Sequence, residues 1–171
     1  MSASALVGLG ANEGDPLANL HGAVSRMRAG ALGDATVVRC SGIYESTAVG
    51  GPGQNFLNAV VVLETDIPPA ELLAGMVALE HAMGRVRRER WGPRTLDLDL
   101  LAWLPAGADI SVTHHGAPEL PHPRMTDRDF VLLPLLDVWP RLQVNGHDVA
   151  AHLGRLPPER RAVLRRTHYD L

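Results

Sequence analysis

Leu96-Asp97-Leu98-Asp99-Leu100 alternates apolar and acidic residues at a period of two. That is the period of a strand, whose successive side chains point to opposite faces. Leu96, Leu98 and Leu100 therefore enter a core, while Asp97 and Asp99 stand side by side on the other face. A chain built on this stretch needs a β-sheet with one buried face and one chemically active face. Paired hard oxygen ligands suit Mg²⁺, which is usually held by one or two carboxylates plus substrate phosphates. Just upstream, residues 85–94 contain five arginines, interrupted by Glu89 and Trp91. The guanidinium fork matches phosphate oxygens in bidentate geometry, so the combined stretch points to a polyphosphate substrate. The competing reading is a solvated charged loop before an edge strand. That reading suits a lone Asp-x-Asp better than one with an arginine loop attached.

The other elements follow from the same periodicities. Residues 4–10 read as a short buried strand. Gly8, Gly10 and Gly14 miss the dinucleotide fingerprint by one residue in the last interval. Asp15-Pro16 is an N-cap followed by proline at the first helical position, and Leu17, Leu20, Val24 and Met27 continue at helical spacing until Gly30 and Gly33. Thr36 to Tyr44 is expected as the second strand, followed by a glycine-rich loop over residues 45–53. Phe56 to Glu64 is the third strand, with Phe56 and Asn58 on one face. An aromatic plane beside a carboxamide fits a flat heterocycle, the first stacking on it and the second bonding its edge. Pro68-Pro69 opens a second helix with an apolar stripe of Leu72, Leu73, Met76, Leu79 and Met83, and Glu80 falls in its last turns. Thr95 to Trp103 is the fourth strand.

The order β-α-β-β-α-β is that of a ferredoxin-like α+β sandwich. Its helices lie on one face of an antiparallel sheet, leaving the other for a site. Residues 104–120 read as an irregular insertion in which His114 and His115 are solvated. An apolar run to Val138 reads as helical but interrupted by Pro134. Residues 145–156 read as a last short helix, giving a C-terminal helical extension. One domain is expected over residues 1–171, with its core at about 4–140 and a surface tail from 157.

Composition narrows the functional classes. All sixteen basic residues are arginine, so a Walker-type phosphate loop, which needs its lysine, is excluded along with Schiff-base chemistry. A single cysteine, Cys40, precludes an internal disulfide and a cysteine-based zinc site, and is read as an inert core thiol. No apolar run approaches roughly 20 residues, and the N-terminus lacks a basic region followed by a long apolar segment. A cytoplasmic protein without membrane association is expected. Few aromatics, a slightly acidic balance and arginines gathered in a loop argue against the RNA-binding use of such a sheet.

The motifs Gly8-Leu9-Gly10-Ala11-Asn12-Glu13-Gly14, Phe56-Leu57-Asn58-Ala59, Gly84-Arg85-Val86-Arg87, Arg90-Trp91-Gly92-Pro93-Arg94-Thr95-Leu96-Asp97-Leu98-Asp99 and Pro121-His122-Pro123-Arg124-Met125 occur in this order. Together they resemble the 6-hydroxymethyl-7,8-dihydropterin pyrophosphokinases of folate biosynthesis, over roughly residues 4–140. The resemblance implies transfer of the β,γ-pyrophosphate of ATP to the pterin hydroxymethyl group, with release of AMP. It implies two Mg²⁺ ions on Asp97 and Asp99. Arg85 and Arg94 would pair with the triphosphate, with Glu80, His122 and Arg128 also on the ATP side and Trp91 on a closing loop. Phe56 and Phe130 would sandwich the pterin, Asn58 would bond its edge, and backbone groups around Thr47 and Val49 would complete the pocket. A monomer serving only small-molecule substrates is expected. Ala11, Ala48 and Phe56 depart from the family's usual serine, proline and tyrosine. A nucleotide-sugar transferase would need a larger nucleotide domain, and an idle ATP-binding relative would not need the intact acid pair and arginines.

Overall fold

The computed structural model describes residues 2–48, 53–84, 95–106 and 117–171. The elements run β1 (Ala3–Ala11), α1 (Pro16–Arg28), β2 (Thr36–Cys40), β3 (Gly42–Ser46), β4 (Phe56–Thr65), α2 (Pro69–Ala82), β5 (Asp97–Leu104), α3 (Asp129–Val138), β6 (Gln143–Val144), β7 (His147–Asp148), α4 (Val149–Arg155) and β8 (Val163–Asp170). Among the described residues, β5-β1-β4-β3-β8 form one sheet, with β2 also paired to β4. The strand pairings are antiparallel. The first four sheet positions reproduce the ferredoxin-like order expected from the chain.

Local chemistry accounts for the boundaries. The Asp15 carboxylate accepts from Ala18 N at 3.0 Å and Pro16 occupies the first turn of α1, satisfying one orphan donor of the helix start. Past the end of α2, Gly84 takes φ +86°, a left-handed conformation that glycine reaches without steric cost. Pro134 lies inside α3, whose hydrophobic residues still pack as a helix.

Each strand divides its side chains between two cores. Ala5, Val7 and Leu9 of β1, Val61 and Leu63 of β4, and Leu98 and Leu100 of β5 face α1 and α2, meeting Leu20, Val24, Met27, Leu72, Met76 and Leu79. Leu6, Val60, Val62 and Leu101 take the opposite face, under Leu132, Leu135 and Val138 of α3. Burying each such leucine contributes about 2 kcal/mol. The second face is therefore not open, as expected, but half covered by α3. What remains uncovered is the stretch around Gly8, Gly10, Phe56, Asn58, Asp97 and Asp99.

Three expectations need correction. The predicted second strand is two strands joined at Ser41, where an extra residue shifts the register from Cys40↔Val61 to Tyr44↔Asn58. Ser41 Oγ accepts from Val60 N at 2.9 Å, which repairs the ladder at this bulge. The expected helix over 145–156 begins only at Val149. Before it, Asn145 (φ 51°) and Gly146 (φ 76°) turn the small β6–β7 hairpin, the pairing favoured by left-handed two-residue turns. The expected surface tail from 157 instead supplies β8, which pairs with β3 along the main sheet. Its exposed arginines suit an edge strand, where charge discourages further pairing. They also hide the strand from an apolar periodicity.

Candidate active site

The registers define the site. Asp97 lies opposite Gly10 and Asp99 opposite Gly8 across β5–β1. On the other side of β1, Gly10 lies opposite Asn58, and Asn58 opposite Tyr44. Side chains directly opposite each other share a face, so Asp97, Gly10 and Asn58 form one row. Adjacent strands lie about 4.8 Å apart, which puts Asp97 on β5 and Asn58 on β4 roughly 10 Å from each other along that row. Between them runs a strip of backbone without side chains. A Cβ on Gly10 would project into this strip, 3.6 Å from Asn58 Oδ1 and 3.8 Å from Phe56 Cδ1.

A cavity of about 540 Å³ opens over the strip, lined by Gly8, Gly10, Thr47, Phe56, Asn58, Asp97, Asp99, His122, Arg124, Asp127, Arg128 and Phe130, among others. Asn58 is buried and donates through Nδ2 to Ser46 Oγ at 2.8 Å and to the Tyr44 carbonyl at 3.3 Å. A carbonyl can only accept, so the amide orientation is fixed and Oδ1 faces the space over Gly10. An acceptor at that point suits the N–H edge of a flat heterocycle, with Phe56 beside it.

The opposite end carries charge. Arg128 Nη1 lies 3.9 Å from Asp99 Oδ2, and its guanidinium carbon sits 5.6 Å over the Phe130 ring. Burial, then repulsion from Arg124, lowers the Arg128 pKa, against the attraction of Asp99, Asp127 and Asp97. Asp127 Oδ2 is 3.2 Å from Arg160 and 3.8 Å from Arg124. His122 Nδ1 accepts from Arg124 N at 3.1 Å, so in the neutral ring the proton resides on Nε2 as a donor. Among the described lining residues, carboxylates outnumber guanidiniums.

The structure thus brings Thr47, Phe56, Asn58, Asp97, Asp99, His122, Arg128 and Phe130 to one cavity. Thr47 N–H, however, is bonded to the Ala162 carbonyl at 2.9 Å. Glu80 sits elsewhere among the described residues. It is 2 % exposed, accepts from Leu98 N at 2.6 Å and does not line the cavity. That bond ties the buried side of α2 to β5. Val49, Arg85, Trp91 and Arg94 lie outside the described residues. Sequence reasoning missed Gly8, Gly10, Arg124, Asp127, Glu159, Arg160 and Ala162. For Gly8 and Gly10 a signal existed, since glycines two apart within a strand mark a close approach to the backbone.

Among the described residues, no group of three or more His, Cys, Asp or Glu could hold a metal by itself, and no helix is long and apolar enough to cross a membrane. Cys40 packs at the core edge, and burial raises its thiol pKa although Arg28 lies 3.6 Å away. That agrees with an unreactive thiol.

A carboxylate pair, several guanidiniums and two phenylalanines lining one cavity suit a transferase that takes a polyphosphate and a flat-ringed acceptor. Residues 6–140 match the family described as 7,8-dihydro-6-hydroxymethylpterin-pyrophosphokinase, HPPK. The chain belongs to this family, whose activity is pyrophosphoryl transfer to hydroxymethyldihydropterin in folate biosynthesis. It is 41% identical to 2-amino-4-hydroxy-6-hydroxymethyldihydropteridine pyrophosphokinase of Synechocystis, over 80% of this chain and 66% of that protein. It is 40% identical to the Methylorubrum extorquens enzyme of the same description, over 90% and 94% of the two chains. The Mycobacterium bovis enzyme is 38% identical over 97% and 92%. Among solved structures, Plasmodium falciparum HPPK-DHPS with pteroate superposes with TM-score 0.66 at 14% identity, over 91% of this chain and 42% of that one. This likeness concerns the fold, and the chain spans less than half of the Plasmodium protein.

Proposed function

We propose that this chain transfers the β,γ-pyrophosphate of ATP to the hydroxymethyl oxygen of 6-hydroxymethyl-7,8-dihydropterin, releasing AMP. The observation that carries the reading is the shared row of Asp97, Gly10 and Asn58. It supports a ring held by Phe56, Phe130 and Asn58 whose hydroxymethyl arm extends along the glycine strip toward the carboxylates. Asp97 and Asp99 fit Mg²⁺, a hard cation that takes one or two carboxylates and leaves its other positions for water and phosphate oxygens. Two such ions, when bound, would neutralise the triphosphate.

The chain's own residues do the rest. Arg128 and Arg124 border the phosphate end, and His122 offers its Nε2 proton there. Arg85 and Arg94 add positive charge against the triphosphate, and Trp91 contributes on the ATP side. The pterin oxygen attacks the β-phosphorus, and the bond from that phosphorus to the α–β bridging oxygen breaks. AMP departs with that oxygen. The hydroxyl proton passes to Asp97, the carboxylate in the Asn58 row. The enzyme works as a monomer in the cytoplasm on small molecules alone.

The test is nucleotide analysis after incubation with ATP and Mg²⁺, with and without the pterin. AMP in step with pterin diphosphate supports the reading; ADP, or AMP without pterin, contradicts it.

A further inference from the structure

The C-terminal segment lies beyond the family match at residue 140, yet it supplies part of the cavity wall. Three contacts seat it. β8 pairs with β3 through Ser46↔Val163 and Glu45↔Arg165. The Ala162 carbonyl accepts from Thr47 N at 2.9 Å. Val163 N donates to Asp129 Oδ2 at 2.9 Å, just before Phe130. Between α4 and β8, the turn Pro158–Arg160 is thereby held at the cavity, and Glu159, Arg160 and Ala162 line it.

Arg160 is the residue with chemistry to offer. Its Nη1 donates to Asp127 Oδ2 at 3.2 Å, and Asp127 is shared with Arg124 at 3.8 Å. Asp127 directly precedes Arg128, which reaches Asp99. Arg124, Arg128 and Arg160 therefore border the same end of the cavity. The Arg160–Asp127 pair is nearly half exposed on the arginine side, and pairs of that kind contribute under about 1 kcal/mol to stability. Such a pair holds the guanidinium in place without committing it. A polyphosphate carrying several charges offers the fork a stronger partner than one shared carboxylate.

Building on the function proposed above, we propose that Arg160 is a phosphate-binding residue for the nucleotide, delivered to the site by the C-terminal strand and exchanging Asp127 for phosphate oxygens when ATP binds. The test is calorimetric titration with Mg²⁺ and α,β-methylene-ATP, and separately with the pterin, on the full chain and on Arg160→Gln, Arg160→Lys and Arg165→Gln. Arg165 of β8 pairs with Glu45 of β3 at 2.6 Å and does not line the cavity, so it controls for seating of the strand. The proposal expects Arg160→Gln to weaken the nucleotide analogue about tenfold and to flatten its salt dependence. Arg160→Lys should recover part of the loss, while pterin affinity and the Arg165→Gln variant stay at the full chain's values. Equal nucleotide affinity in Arg160→Gln, or a loss confined to the pterin, overturns it. Should the unmodified chain make no AMP from ATP and pterin, the function itself fails. Unchanged nucleotide binding in Arg160→Gln beside an active parent fails only this inference.

Discussion

Arg128 lies between Asp99 and Phe130, its Nη1 3.9 Å from Asp99 Oδ2 and its guanidinium 5.6 Å over the ring of Phe130. One side chain therefore lies beside a carboxylate of the proposed phosphate end and over an aromatic of the proposed pterin end. Arg128→Ala should lower kcat/KM by about 10²-fold, the size of a lost charge-stabilising donor. Arg128→Lys should recover little, because an ammonium neither forks nor stacks. Steady-state kinetics on both variants check this; full recovery by lysine would refute the stacking role.

The carboxylate pair should behave as a unit. Asp97→Ala and Asp99→Ala should each raise the chemical barrier by about 3 kcal/mol, roughly 10²-fold in single-turnover rate. The double variant should be little worse than either single one. Near-normal turnover in a single variant would remove the metal assignment.

The glycine strip predicts a separation of binding from stability. A Cβ at Gly10 meets its nearest neighbours at 3.6 and 3.8 Å, ordinary contact distances. Gly10→Ala should therefore melt within a few degrees of the parent. It should nonetheless bind pterin at least about tenfold more weakly, since extra volume in a fitted space costs 1–3 kcal/mol. Pterin fluorescence titration beside thermal melting separates the two effects, and unchanged pterin affinity would show that the hydroxymethyl arm does not run along the strip.

Glu80 predicts the reverse pattern. Its carboxylate holds the β5 backbone at Leu98 N, so Glu80→Ala should lose about 2 kcal/mol of stability, a few degrees in melting temperature. At a temperature where the variant is fully folded, nucleotide affinity should stay near that of the parent. A selective loss of nucleotide binding would return Glu80 to the site.

Acid should loosen the edge on which the C-terminal strand sits. A hydrogen bond from Asn55, then the Arg165 guanidinium, holds the Glu45 carboxyl below its usual value of 4.5. A depressed folded-state pKa contributes stability that is present above the unfolded value and lost as pH falls through the folded one. Below about pH 4.5 the parent should lose the advantage that Glu45→Gln lacks, a difference under about 1 kcal/mol for an accessible pair. Urea unfolding of both proteins at pH 7 and pH 4 measures it; an identical shift in the two would exclude this pair as the source.

Much of the fold was legible because its elements announce themselves locally. Asp15-Pro16 marks the start of α1, and the alternation from Leu96 to Leu100 assigns β5 to two faces. Asp97, Asp99, Phe56 and Asn58 could be placed on one side of their strands from parity alone. What escaped were features set by pairing. The bulge at Ser41 and the clamp by Glu80 depend on which strand or backbone lies alongside, which spacing does not encode. β8 escaped because Arg165, Arg166 and His168 give an edge strand no apolar rhythm. With it went Arg160, whose place at the cavity depends on Ala162 and Val163 being bonded to Thr47 and Asp129.

The central claim is attack at the β-phosphorus, and oxygen tracing tests it most directly. With ATP labelled by ¹⁸O at the α–β bridge, mass spectrometry of the products should find the whole label in AMP. Label retained within ADP would mean attack at the γ-phosphorus, and label in free pyrophosphate would mean attack at the α-phosphorus. Either result would contradict the account.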